Sequence, residues 1–110
     1  MPFQLERMDN VWRDGVGGVE LPTAPSEQVR DRVFGCIFDD LHGLKCRHDV
    51  GIDRILFETD YPHSDGTFPH SRKVARELFH AAGMNAEECY DVLRGNAIRA
   101  YGLERFGITS

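Results

Sequence analysis

Two short apolar runs in this chain each stop on carboxylates. Residues 33–38 read VFGCIF and run into Asp39 and Asp40; Ile55-Leu56-Phe57 runs into Glu58, Thr59 and Asp60. Runs of this length, bounded by polar residues, read as buried strands. Between and after them lie helical patterns, and strand–helix alternation points to parallel βα units. Two strands alone make a poor sheet and cannot close a barrel. The expected fold class is therefore α/β, with the look of a few units from a larger fold.

The flanking segments fill in the order of elements. Residues 1–13 carry Phe3, Leu5, Met8, Val11 and Trp12 near helical spacing. Gly15, Gly17, Gly18, Pro22 and Pro25 then mark a loop over residues 14–25. Ser26 is placed to cap a short helical turn, SEQVRD. Residues 41–49 are weakly helical, with Leu41, Leu44 and His48 on one stripe and Gly43 against it. Ser71 reads as an N-cap for a helix with Val74, Ala75, Leu78, Phe79 and Ala82 inward, stopped by Gly83. Asn85 with Glu88 three residues on reads as a capping box. Gly95 interrupts that helix, and Asn96 is placed to cap a last one carrying Ile98 and Tyr101 and ending at Gly102.

Bulk chemistry excludes several functions. The 110 residues carry a net charge of -5, from 18 acids and 13 bases, and the arginines are scattered. A nucleic-acid binder shows a basic patch instead. No apolar stretch approaches a membrane span. The start, MPFQLERMDN, does not read as a signal peptide. Three cysteines, Cys36, Cys46 and Cys89, give an odd count without CxxC, so a reducing, cytoplasmic setting is expected. No base stands at motif spacing from Cys36 or Cys46, which disfavours a cysteine nucleophile. Gly15, Gly17 and Gly18 do not make a phosphate loop.

The chemistry-bearing candidates gather after the second run. Glu58 and Asp60 are two apart, so an unbroken strand would put both on one face with Leu56. Strand carboxyl ends are where parallel α/β folds build sites. Asp60 there either carries metal or proton chemistry or caps the following turn. The loop from His63 to His70 adds Asp65. His63 can contact a substrate carboxylate, orient Asp60, ligate a metal or lie on the surface. His70 reads as local to the helix start, and His42, His48 and His80 as surface residues. If Glu58 and Asp60 were instead sealed in a core, Arg54 and Arg99 would be their partners.

The run Ile55-Leu56-Phe57-Glu58-Thr59-Asp60-Tyr61-Pro62-His63 resembles the amidohydrolase-related family, a metal-dependent TIM-barrel group that includes aminocarboxymuconate-semialdehyde decarboxylase. Ser64 to Pro69, Gly95-Asn96-Ala97 and the stretch Leu21-Pro22 to Asp40 extend the resemblance over essentially the whole chain. It implies that residues 1–110 are the C-terminal portion of such a barrel: strands seven and eight with their helices, plus C-terminal helices. It implies that Asp60 is a metal ligand or the base serving metal-bound water, that Asp60 and His63 are catalytic, and that the metal is zinc. It implies hydrolysis of a C–N or related bond, or a decarboxylation, of a small molecule. The family's HxH pair has no counterpart here, and one aspartate does not make a three- or four-ligand site. The chain alone is therefore expected to be inactive and to hold no metal stably. It would need a complementary barrel fragment, or it would serve as a non-catalytic, self-associating fragment.

Overall fold

A computed structural model describes residues 2–16, 18, 20–30 and 32–109. The chain divides into two compact units, Met1–Val33 and Phe34–Ser110.

In the first unit, helix α1 (Pro2–Arg13) and helix α2 (Pro25–Val29) are joined by a loop. The helix expected over residues 1–13 is present from Pro2. Of the expected loop glycines, Gly17 lies outside the described residues. The apolar stripe of α1 is only half-buried at Leu5, Val11 and Trp12, and Phe3 stays exposed. The Trp12 indole Nε1–H donates to the Leu21 carbonyl at 3.2 Å, and the Ser26 backbone N–H donates to Asp9 Oδ1 at 2.9 Å. Ser26 is not the cap expected of it. Pro25 opens α2, where a missing N–H costs nothing, and Ala24 holds the cap position without a side-chain bond.

The second unit holds the sheet. Strands β1 (Gly35–Ile37) and β2 (Ile55–Phe57) pair in parallel, in the register Gly35↔Ile55, Cys36↔Leu56, Ile37↔Phe57. Both expected strands are present. The first is shorter than the apolar run that signalled it. Helices α3 (Leu41–Lys45) and α4 (Arg47–Val50) and a 3₁₀ turn, Ile52–Arg54, make the crossover. Helix α5 (Ser71–Ala81) follows, then α6 (Ala86–Tyr90), a π turn (Asp91–Gly95), α7 (Asn96–Tyr101) and a 3₁₀ turn (Leu103–Phe106). This is an α/β fold built on a small open parallel sheet.

The core forms where one helix face meets the strands. Ile37, Leu44, Ile55, Ala75, Leu78, Phe79 and Val92 are buried together. Leu78 and Phe79 sit on the predicted inward stripe of α5, and full burial of such side chains stabilises by about 1.5–3 kcal/mol each. Phe79 meets Phe57 edge-on, with ring centroids 6.1 Å apart, which ties α5 to β2. Gly83 ends α5 with φ +66°, as its position suggested. The α5 cap differs from expectation: His70 occupies the cap position without a side-chain bond, and Ser71 is the first helical residue.

The turn into α6 is the capping box expected of Asn85 and Glu88, with both reciprocal bonds at 2.9 Å. Glu88 also accepts Nε and Nη2 of Arg47 at 2.8 and 3.0 Å. Arg47 Nη1 reaches the carbonyls of Leu44 and Ala82 at 3.1 and 3.2 Å. One guanidinium thus fastens the end of α3 to the turn between α5 and α6. Its hydrogen bonds, and that of the Asn85 N–H, hold the Glu88 carboxyl below the usual range.

Asn96 is no cap either. Its side chain is fully buried, and its Nδ2 donates to the carbonyls of Ile52 and Ile55, each at 2.7 Å. Arg99 donates in turn to Asn96 Oδ1. The amide therefore satisfies two carbonyls at the start of β2, and the C-terminal helix is anchored on the strand that leads to the site.

Candidate functional site

Strand β2 ends one residue before the first acid. The Glu58 N–H still donates to the Ile37 carbonyl at 2.9 Å, and the chain then leaves the sheet. Glu58 is exposed, so Glu58 and Asp60 do not share an inward face as unbroken alternation would require. The physical reason lies at Asp60, whose φ of +53° reverses the chain. Aspartate is among the few non-glycine residues that enter this region at modest cost.

The loop after Asp60 is closed on itself by backbone bonds. His63 N–H donates to the Asp60 carbonyl at 2.8 Å, and Thr67 N–H to the Thr59 carbonyl at 2.9 Å. Tyr61 N–H donates to Thr59 Oγ1 at 3.3 Å. The Thr67 hydroxyl lies 2.9 Å from Ser71 Oγ, joining the loop to the first turn of α5. Tyr61 and Phe68 pack edge-on, 4.7 Å between centroids. The Tyr61–Pro62 and Phe68–Pro69 peptide bonds are cis. Gly66 completes the closure. A Cβ there would stand 2.7 Å from the Thr59 carbonyl oxygen and 2.9 Å from that of Asp60, so only glycine lets the returning loop lie on the strand end.

This closure brings three ligand-type side chains together. One ligand atom each from Asp60, His63 and Asp65 lies within 4.8 Å of the others. His63 Nδ1 is 3.5 Å from Asp60 Oδ2. The Asp60 side chain is 28% exposed and that of His63 72%, so the group has one half-sheltered anchor and an open outer face. Asp65 is exposed. It was visible in the sequence as part of the loop, but five residues from Asp60 is no recognised ligand spacing. Its signal was Gly66, the residue that allows the loop to close.

The three side chains could hold a metal ion. Two donors about 2.1 Å from one ion at a tetrahedral angle are about 3.4 Å apart. The 3.5 Å separation of His63 and Asp60 matches that edge and is long for a hydrogen bond. One imidazole and two carboxylates form a donor set suited to zinc or manganese.

The other sequence candidates fall elsewhere. Neither arginine proposed as a partner for Glu58 and Asp60 reaches them: Arg54 donates to the Val50 carbonyl, and Arg99 pairs with Asp91 and Asn96. Nε and Nη1 of Arg54 are buried without a hydrogen-bond partner among the described residues. His70 is exposed at the start of α5. His48 is exposed, yet its Nε2 lies 3.2 Å from Glu88 Oε1, an acidic partner forty residues away that local spacing does not reveal. His42 Nε2 stands 3.7 Å from Cys46 Sγ across one helical turn, a base beside a thiol that the sequence reading missed. Partial desolvation, with the nearby carboxylates of Glu58 and Glu88, raises the thiols of exposed Cys36 and half-buried Cys89 above their ordinary value, which disfavours the nucleophilic thiolate.

No curated protein matches the chain. The family model for amidohydrolases matches residues 4–103, which spans the sheet, the closed loop with Asp60, His63 and Asp65, and the Asn96 anchor. With nearly its whole length matched, this chain belongs to the amidohydrolase family.

Proposed function

We propose that this chain supplies strands seven and eight, with their helices, of a metal-dependent TIM-barrel hydrolase or decarboxylase. Asp60 is then the carboxylate of the last strand. The observation that carries the reading is the position of Asp60: half-sheltered, just past the carboxyl end of a parallel strand, with His63 Nδ1 3.5 Å from its carboxylate. That end of a parallel barrel is where active sites form.

In this reading Asp60 contributes one ligand to a divalent ion, zinc in the resemblance the sequence carries. A divalent ion held there would supply Lewis-acid polarisation of a water or substrate oxygen. The Asp60 carboxylate ligates it, or takes and returns the proton of the reaction. The exposed His63 ring meets an acidic substrate at the loop's outer face. The reaction is hydrolysis of a C–N or related bond, or loss of carbon dioxide from an unsaturated acid. The chain contains no HxH pair, so catalysis draws those ligands from the rest of the barrel, and residues 1–110 alone are inactive. The outer edges of the two-stranded sheet are where a complementary barrel piece, or a second copy, would add strands. Among the described residues no helix is long and apolar enough to cross a membrane. Three free cysteines suit a reducing, cytoplasmic setting.

Complementation tests this reading. A complete amidohydrolase barrel truncated before strand seven is combined with this chain and assayed on the parent's substrate. Activity should return with the wild-type chain and be lost with Asp60→Ala. Equal recovery with Asp60→Ala would refute the assignment.

A further inference from the structure

We propose that the loop from Asp60 to Asp65 is a self-contained metal clamp: Asp60, His63 and Asp65 together hold one divalent transition-metal ion in this chain by itself. The inference rests on the reading of Asp60 as a metal ligand and extends it to two residues of the same loop. A strand-end aspartate alone offers one ligand. Here the chain reverses at Asp60, returns over Gly66, and delivers an imidazole and a second carboxylate to the same spot.

Three features favour binding without the rest of a barrel. The donors come from six consecutive positions whose backbone is already closed by the His63–Asp60 and Thr67–Thr59 bonds, so little chain entropy remains to be lost on binding. The His63–Asp60 separation of 3.5 Å already matches the spacing of two ligands on one ion. The open outer face leaves room for water or a substrate atom at the remaining positions, the pattern of a catalytic rather than a structural site. The clamp stands against the expectation that the chain, lacking HxH, holds no ion stably, and direct titration decides between them.

The test is direct titration of the purified chain with Zn(II) by calorimetry and with Co(II) followed by its visible spectrum. The variants are Asp60→Asn, His63→Gln, Asp65→Asn and Cys46→Ser, each checked for an unchanged far-UV circular dichroism spectrum. Loss of even an outer partner of a metal site costs roughly 10–100-fold in affinity. One ion per chain is expected, weakened about tenfold or more by each of the three loop substitutions and unchanged by Cys46→Ser. Wild-type chain that takes up no ion overturns the clamp. So does binding that survives both His63→Gln and Asp65→Asn, or binding lost with Cys46→Ser, which would place the ion at His42 and Cys46. Sensitivity to Asp60→Asn alone would overturn the clamp and leave the strand-end ligand standing. The strand-end assignment itself stands or falls on the complementation assay.

Discussion

Gly66 lies against the Thr59 carbonyl so closely that a methyl group at that position would stand 2.7 Å from its oxygen. The atoms it would meet are backbone, and backbone cannot rotate aside as a long side chain can. Gly66→Ala must therefore lift the loop, and the bond from Thr67 N–H to Thr59 is the first to go. The loop lies outside the apolar core, so the strain should be released locally. The expected result is a loss of about 1–2 kcal/mol in protection of the Thr67 amide, with the α5 amides unchanged. Native-state hydrogen exchange by NMR reads both. Metal affinity should fall in the same variant, because the reversal that brings Asp65 back to Asp60 is gone.

The Asn96 side chain should be worth more than any surface residue of the chain. Its amide serves two carbonyls at the start of β2, at a position with no solvent exposure. Truncation to alanine leaves the buried Ile55 carbonyl without that donor, leaves the Ile52 carbonyl with the Ile55 N–H alone, and frees the Arg99 contact. An unsatisfied buried group costs about 1–3 kcal/mol, so Asn96→Ala should lose about 1–3 kcal/mol in urea denaturation at neutral pH. Asn96→Asp should be worse still, since a carboxylate cannot donate and brings a charge into the core.

Much of the fold could be read from local pattern. The β2 strand, the α5 stripe, the Gly83 stop and the Asn85–Glu88 box all depend on residues within four or five positions of one another. What escaped reading depends on distance along the chain. Asn96 resembles a helix cap until its partners, Ile52 and Ile55, are known to lie over forty residues back. Arg47 and His48 have no acid three or four residues away, and their partner is seen only when the fold brings Glu88 to them. At the site, Asp60 was legible because it ends a strand. Its alignment with Glu58 was misread because period-two alternation holds only while the strand lasts, and this strand ends at Phe57. Asp65 needed the loop closure at Gly66, a tertiary contact, to become a neighbour.

The Arg47–Glu88 pair gives the chain an acid limb. Bonding to Arg47 and the Asn85 N–H depresses the Glu88 carboxyl in the folded state. A depressed carboxyl contributes stability that is fully present above its unfolded value of about 4.3 and is lost as the pH falls through the folded value below that. Glu88→Gln should therefore be less stable than wild type at pH 7, by about 2–3 kcal/mol for a charge-assisted, mostly buried pair. The difference should shrink steadily as the pH is lowered from 5 towards 2. Urea midpoints across that range provide the check. Asp9, held low by the Ser26 hydroxyl and backbone N–H, adds a smaller contribution of the same sign in the first unit.

Asp60 itself should prove to be a residue whose chemistry costs stability. Its φ of +53° lies where a side-chain-bearing residue is disfavoured by roughly 1–2 kcal/mol relative to glycine, with aspartate and asparagine at the low end. Asp60→Gly should therefore raise the urea midpoint, by about 0.5–1 kcal/mol in stability. Asp60→Asn should leave it nearly unchanged. Asp60→Val, with a branched Cβ in the same conformation, should lower it by about 1–2 kcal/mol or more. Metal binding should follow a different order: weakened in the asparagine variant, which keeps one oxygen donor, and weakest in the glycine variant, which keeps none. A variant that gains stability while losing the ion would separate the two roles of this position. A residue serving only as a turn cap would lose stability when its carboxylate was removed, so a rise in Asp60→Gly argues against a cap, and loss of the ion in the same variant identifies the ligand.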